Sequence, residues 1–267
     1  MIKLAVAGAA GRMGRTILAL ARQDKSFQIV GGLENIDSPN LGEDIGSLLG
    51  GSPLGVSLVY EPSQILKEAD VLIDFTHPSA TLKNLKAALA SKTSYILGTT
   101  GLNDSILSAL KKASKTISIV QSPNMSIGVN LLFKLAEITS GALDESYDIE
   151  IAEIHHRHKK DAPSGTAMKL LEIMAKARKR DLKKDTIYGR EGEVGARPKG
   201  KIGVLALRGG DVVGDHTVSF LGDGERVELV HKASSRDAFA KGALHAAKFV
   251  AGKKAGLYNM LQVLGIE

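Results

Sequence analysis

The chain has 267 residues, 43% of them hydrophobic and 24% charged, with no Cys and no Trp. Near-average apolar and charged fractions exclude a disordered chain, and the length allows one large barrel or two smaller domains. Without cysteine there is no disulfide framework, thiolate nucleophile or Cys-based zinc site, so the chemistry must come from other side chains or a bound cofactor. Net charge is +6, but it is uneven: Arg157 to Lys184 hold ten Lys/Arg against three Asp/Glu, leaving the rest near neutral.

In chain order, the Val-, Ile- and Leu-rich runs Ile2 to Ala7, Gln28 to Leu33, Val56 to Tyr60, Val71 to Phe75, Ser94 to Leu97 and Ile117 to Val120 read as strands. Helical patterns at Arg12 to Gln23, Ala80 to Ser91 and Ser105 to Ser114 lie between them. Alternation of this kind predicts an α/β fold, a Rossmann-type doubly wound parallel sheet. After Ser122-Pro123-Asn124 the rhythm changes. A helix near Val129 to Thr139, a strand Asp148 to Ile154 and a basic helix Gly165 to Arg180 precede a Gly-rich stretch. Strands near Ile202 to Leu207, His216 to Leu221 and Arg226 to His231 follow, then a helix Asp237 to Val250. This predicts a dinucleotide-binding domain over 1–126, completed by 236–267, and a second α+β domain over 127–235.

No run approaches the ~20 apolar residues of a membrane helix, and the first residues carry neither a secretory nor a transit pattern. A cytoplasmic protein without a membrane partner is expected. Aromatics are only 4%, which speaks against nucleic acid as the partner of the basic segment.

Gly8-Ala9-Ala10-Gly11-Arg12-Met13-Gly14 follows a predicted strand and opens a predicted helix. Small residues let the backbone approach a pyrophosphate, and the free N–H groups and positive helix end favour the anion. GxxGxxG is a weak signal alone. Glu34, 20 residues after Gly14 at the next strand end, strengthens it, because a carboxylate there can accept from an adenosine ribose. Against a 2′-phosphate the same carboxylate is repulsive, by about 1 to 4 kcal/mol at 4 Å depending on screening. Asn35, not arginine, is its neighbour, so NADH and NADPH are both expected, NADH at least as readily. Two further strand ends, Phe75-Thr76-His77 and Gly98-Thr99-Thr100-Gly101, belong to the same crevice, or are ordinary capped loops.

Three of the seven histidines fall within Glu153-Ile154-His155-His156-Arg157-His158-Lys159-Lys160-Asp161-Ala162-Pro163-Ser164-Gly165-Thr166-Ala167. Placed at a strand end before a helix start, they make a receptor for an anionic substrate, and His can move a proton near neutral pH. HHxH is not a common zinc spacing, and no carboxylates are arranged as further ligands, so no metal is expected. A plain solvated face competes with the anion receptor, above all for Lys176 to Lys184.

The segment EIHHRHKKDAPSGTA resembles the substrate-site signature of the dihydrodipicolinate reductase family, also called 4-hydroxy-tetrahydrodipicolinate reductase, of the diaminopimelate route to lysine. GAAGRMG, DFTHP, GTTG, SPNMSIGVN, GDVVGDHTVSF and HKASSR match its other motifs in order, over essentially the whole chain. The resemblance implies NAD(P)H-dependent reduction of a cyclic dicarboxylate by a homotetramer. It implies His155 and Lys159 as proton donors, and His156, Gly165 and Thr166 as carboxylate ligands. It also implies cofactor contacts at Gly8 to Met13, Glu34, Asn35, Gly98 to Thr100, and Ser122, Pro123, Asn124 and Met125. Asn35 departs from the arginine that some members use against the 2′-phosphate. Two rivals remain at this level: another two-domain dehydrogenase of an anionic amino-acid precursor, and a dinucleotide sensor without chemistry. A sensor has no need of a proton donor.

Overall fold

The computed structural model describes residues 1–267, which divide into two compact units, Met1–Ile127 with Arg236–Gly265, and Gly128–Ser235 with the last two residues. In chain order the elements are β1 (Ile2–Ala7), α1 (Arg12–Gln23), β2 (Phe27–Leu33), α2 (Ile45–Leu48), β3 (Leu58–Val59), β4 (Val71–Asp74), α3 (Pro78–Ser91), β5 (Ser94–Leu97), α4 (Asp104–Ala113) and β6 (Ser118–Gln121). The second unit follows with α5 (Ile127–Ala142), β7 (Asp148–His155), α6 (Gly165–Ala177), β8 (Thr186–Tyr188), β9 (Ile202–Arg208), β10 (Gly214–Leu221) and β11 (Arg226–Ala233). The chain then returns to the first unit with α7 (Asp237–Val250), β12 (Gly256–Tyr258) and α8 (Met260–Leu264).

The first unit is a seven-stranded, all-parallel sheet in the order β3-β2-β1-β4-β5-β6-β12. Successive side chains of a strand point to opposite faces, and both faces are buried here. Leu4, Val6, Val71, Ile73, Ile96 and Val120 pack with α1, α2, α7 and α8, while Ala5, Ala7, Leu72, Tyr95, Leu97 and Ile119 pack with α3 and α4. A strand covered on both sides reads as a continuous apolar run, which is why IKLAVA and SIVQ stand out in the sequence. The doubly wound α/β expectation holds. The sheet reverses its order between β1 and β4, so the strand ends at Ala7 and Asp74 flank the switch point where ligands of such sheets bind.

The second unit is a five-stranded mixed sheet, β11-β10-β7-β9-β8, covered on one face. Along β7 burial alternates strictly: Ile149, Ile151, Glu153 and His155 face inward. Their neighbours in register are Val218 and His216 on β10 and Val204, Ala206 and Arg208 on β9. Most of the inward row is apolar and packs on α5 and α6. Glu153 and His155 interrupt it at the carboxyl end of β7.

The Gly-rich stretch after β8 is not loose chain. Arg190 and Arg197 both bond the Glu150 carboxylate, and Arg197 also reaches Asp148 and the carbonyls of Ile149 and Lys201. Gly203 leaves the space that Glu150 fills, since a Cβ there would lie 1.9 Å from its Oε2. Several boundaries differ from the sequence reading. The strand expected over Val56 to Tyr60 pairs only at Leu58–Val59. The basic helix stops at Ala177 instead of Arg180, because Lys179 turns left-handed at φ 53° and the amide of Arg180 bonds back to Ala175 O. Helix α3 starts two residues early, with Pro78 in its first turn and the His77 side chain accepting from Ser79 N–H.

Candidate active site

The first unit carries the dinucleotide turn. Gly8 sits at φ +72°, and the amides of Gly8 and Ala9 both reach Leu33 O, which ties the turn to the end of β2. Gly14 admits no side chain: a Cβ would lie 2.1 Å from Gly8 O and 2.6 Å from Ala9 Cα. Gly11 caps α1 without a side-chain acceptor, so the helix start presents backbone N–H groups. Glu34 closes the arrangement, its Oε1 accepting from Ala10 N–H at 2.7 Å and its Oε2 from Asn35 N–H at 3.1 Å.

These residues open on a cleft of about 610 Å³ lined by Gly8, Ala10, Gly11, Glu34, Asn35, Phe75, Thr76 and His77, together with Ser38, Asn40, Tyr60 and Lys83. The last four were not picked out from the sequence. Lys83 lies 3.4 Å over the Tyr60 ring centroid and 3.1 Å from Glu61 Oε1. A tight turn at the start of α1 and a carboxylate just past the end of β2 fit a dinucleotide.

The other expected cofactor residues occupy different environments. Ala9 and Met125 are buried in the core, Met13 packs partly against it, and Arg12 is exposed. Gly98 faces the Phe75 ring so closely that a Cβ would come within 2.3 Å of it. Thr99 is buried and donates to Asp74 at 3.3 Å, whereas Thr100 is exposed. Ser122 donates to Asn124 O and Asn124 accepts from Ser126 N–H, folding the Ser122 to Met125 turn at the end of β6, where Pro123 is exposed. Neither of these two strand ends lines the cleft just described.

Beneath Phe75 and Thr76, Asp74 is fully buried and accepts from Tyr95 Oη (2.5 Å), Asn84 Nδ2 (2.9 Å), and the amide and hydroxyl of Thr76 (2.9 and 2.6 Å). Burial and the Asp74 charge push the Tyr95 phenol well above its usual range. Sequence periodicity could not find this cluster, because Asp74 reads there only as the polar end of a strand.

In the second unit, His155 ends β7 and its Nδ1 lies 2.5 Å from Glu153 Oε2. The fully buried Glu153 also takes both terminal nitrogens of Arg208, each at 2.9 Å, and the amide of Ser164 at 3.0 Å. Burial acts to raise the Glu153 carboxyl, but Arg208, His155 and the Ser164 amide outweigh it and hold the group below the usual range. For His155, burial prevails over Glu153 and lowers its proton affinity.

The loop from His156 to Ser164 carries the rest. Lys159 pairs with Asp161 at 3.0 Å, and Arg208 bonds Asp161 O at 2.7 Å. Ser164 caps α6, its Oγ accepting from Ala167 N–H, and Gly165 faces open space. Thr166 follows Gly165 in the first turn of α6. His156 is partly exposed, with Nδ1 buried and unbonded and its ring 6.2 Å from that of His158. The loop and helix start therefore bring His155, His156, Lys159, Gly165 and Thr166 to one end of the sheet. Glu153, Arg208 and His216 complete that end; a charged or polar residue at an inward position of an alternating strand is the signal for Glu153 and His216, and no local pattern marks Arg208.

Comparison with known proteins covers both units. Residues 2–125 match the family model described as dihydrodipicolinate reductase, N-terminus, and residues 128–264 match its C-terminus. A 4-hydroxy-tetrahydrodipicolinate reductase of Aquifex aeolicus is 50% identical over 99% of this chain and 99% of its own. That of Polynucleobacter necessarius subsp. necessarius is 48% identical over the full length of both. Among solved structures, a dipicolinate-bound dihydrodipicolinate reductase from Paenisporosarcina sp. TG-14 shares the fold, with a TM-score of 0.76 over 98% of both chains at 24% identity. Two family models that together span nearly every residue, and relatives at half identity end to end, leave one assignment: the chain belongs to the dihydrodipicolinate reductase family.

Proposed function

We propose that the protein reduces 4-hydroxy-tetrahydrodipicolinate to tetrahydrodipicolinate with NAD(P)H, in the diaminopimelate route to lysine, as an oxidoreductase. The observation that carries this reading is the end-to-end match to relatives bearing that activity in their names. The geometry supports it twice. The first unit has a dinucleotide turn with a ribose carboxylate, and the second has a histidine held by a buried carboxylate beside a helix start and a lysine.

Bound NAD(P)H supplies a hydride from carbon 4 of its nicotinamide; the balanced reaction takes up one proton and releases one water. In our reading Gly8 to Met13 cradle the pyrophosphate, Glu34 and Asn35 meet the adenosine ribose, and Gly98 to Thr100 with Ser122 to Met125 shape the remainder of the cofactor site. His156, Gly165 and Thr166 hold the substrate carboxylates, using the N–H groups of the α6 start. His155 and Lys159 deliver the proton. The cationic loop stabilises negative charge that develops on the substrate as the hydride arrives.

NADH serves at least as readily as NADPH in this reading, because Glu34 stands by the ribose and Asn35 offers no cation. The outward face of the second sheet carries the exposed Leu205, Leu207 and Val230, an apolar surface suited to another copy of the chain. It supports a homotetramer, which we place in the cytoplasm, where reduced dinucleotide is available for biosynthesis. The decisive assay couples the preceding synthase with pyruvate and aspartate semialdehyde and follows NADH and NADPH oxidation separately. Oxidation of neither cofactor while fresh synthase product is present would refute the proposal.

A further inference from the structure

We propose that Glu153, clamped by Arg208, is the positioning residue of the second unit's site: a single carboxylate that parks the resting proton of His155 on Nδ1 and anchors the loop that starts α6. This rests on the reading of His155 as proton donor. It assigns a task to a residue that neither binds substrate nor transfers the proton itself.

Stability gives Glu153 no reason to be where it is. Its row of the sheet is otherwise apolar at Ile149 and Ile151, and a buried ion pair is commonly no better for stability than apolar residues of the same volume. Its two oxygens instead serve different elements. Oε2 faces His155 Nδ1 and Arg208 Nη1; Oε1 accepts from the Ser164 amide and Arg208 Nη2. Arg208 Nη2 also holds Asp161 O. A displacement of this carboxylate therefore moves the histidine ring and the start of α6 together.

The protonation chemistry follows from the same contacts. An ionised carboxylate only accepts, so Nδ1 carries a hydrogen and Nε2 of the neutral ring holds the lone pair. Nε2 has space beside Gly214, where a Cβ would sit 2.9 Å from it. Before it can donate from Nε2, His155 must load a second proton there. The groups around the ring are Glu153 on its own strand, Arg208 on β9, His216 on β10 with its ring centroid 5.2 Å away, and Lys159, itself paired with Asp161, in the loop. Arg208 and Lys159 oppose a charged ring, and Glu153 is the carboxylate in contact with it. Its negative charge favours the loaded donor.

The test measures kcat and KM across pH for wild type, Glu153→Gln and Glu153→Asp, with NADH binding to each free enzyme followed by fluorescence. Glu153→Gln should lower kcat by at least about tenfold and up to roughly 10⁴-fold, the loss when the carboxylate that fixes a catalytic histidine's tautomer is neutralised. It should shift the high-pH fall of kcat to lower pH and raise KM for the dicarboxylate, with NADH binding unchanged. Glu153→Asp, which keeps the charge, should recover part of kcat and move the profile back. A Gln variant with wild-type kcat and profile overturns the inference. If that variant does not fold, long-range ¹H–¹⁵N spectra of the histidine-labelled wild type decide: Nδ1–H with bare Nε2 is expected, and the opposite tautomer refutes it. Wild-type turnover of the synthase product separates the two proposals, because its absence defeats the function, whereas turnover with an indifferent Glu153→Gln defeats only this inference.

Discussion

Ser164 Oγ lies 3.1 Å from His216 Nε2 while the same hydroxyl accepts from Ala167 N–H at the start of α6. The hydroxyl caps the helix with one lone pair and shares a hydrogen bond with a neutral His216, whose tautomer sets the direction. Burial, with the nearby His155, depresses His216 from 6.5 to about 4. Its contribution to stability is therefore complete above pH 6.5 and is lost as pH falls toward 4, because the unfolded chain takes up the proton first. The loss should reach about 3 kcal/mol. Urea unfolding at pH 7 and pH 4.5 should show it, and His216→Gln should flatten that difference; an equal slope in both proteins would contradict it.

His155→Ala should lower kcat by roughly 10²- to 10⁴-fold, the usual worth of a proton-transfer group, and leave the NADH dissociation constant unchanged. Lys159→Ala should weaken both binding of the dicarboxylate and kcat. Titration calorimetry with pyridine-2,6-dicarboxylate separates the two effects, and full turnover by His155→Ala would remove that residue from the reaction.

Gly14→Ala drives a methyl into the Gly8 carbonyl, and backbone cannot step aside as a flexible side chain can. Overpacking of this kind costs about 1 to 3 kcal/mol. A lowered thermal midpoint together with weaker NADH binding is expected. Gly165→Ala, which meets nothing within 4 Å, should fold like the wild type.

Asn35→Arg places a guanidinium beside Glu34 at the ribose end of the cleft. One charge-assisted contact to a 2′-phosphate contributes about 1.5 to 3 kcal/mol, so the NADPH to NADH ratio of kcat/KM should rise by roughly tenfold or more. Binding of adenosine 2′,5′-bisphosphate to the free protein reports the same change without turnover, and an unmoved affinity would rule it out.

Asp74→Asn replaces an acceptor of several bonds with a group that must donate at one end, facing the Tyr95 hydroxyl or Asn84 amide. A buried group left unpaired costs about 1 to 3 kcal/mol. The loss should appear in urea unfolding, and NADH should bind more weakly because Thr76 lines the cleft.

Strands β1, β4, β5 and β6 of the parallel sheet were legible because they are buried on both faces and print apolar runs. Strands β8 and β12, three residues each, print nothing comparable, since pairing with one neighbour and not composition places them. The Gly8 to Gly14 turn and the histidine loop announced themselves through residues that only special backbone or proton chemistry requires. Tyr60, Lys83 and Arg208 did not, because what marks them is the residue opposite: Tyr60 for Lys83, Glu153 for Arg208. Such pairs lie 23 and 55 positions apart, and no local pattern encodes them.

The return of α7, β12 and α8 to the first sheet bears on how the chain is made. Ala240, Ala243, Leu244, Ala247, Met260 and Val263 supply part of the layer over one face of that sheet, yet they leave the ribosome after all of β7 to β11. A chain that ends at Ser235 has only α1 and α2 over the face that carries Leu4, Val6 and Ile96, whereas the intervening unit has every strand of its own by then. The inserted unit thus has its full set of strands before its host has its full layer of helices.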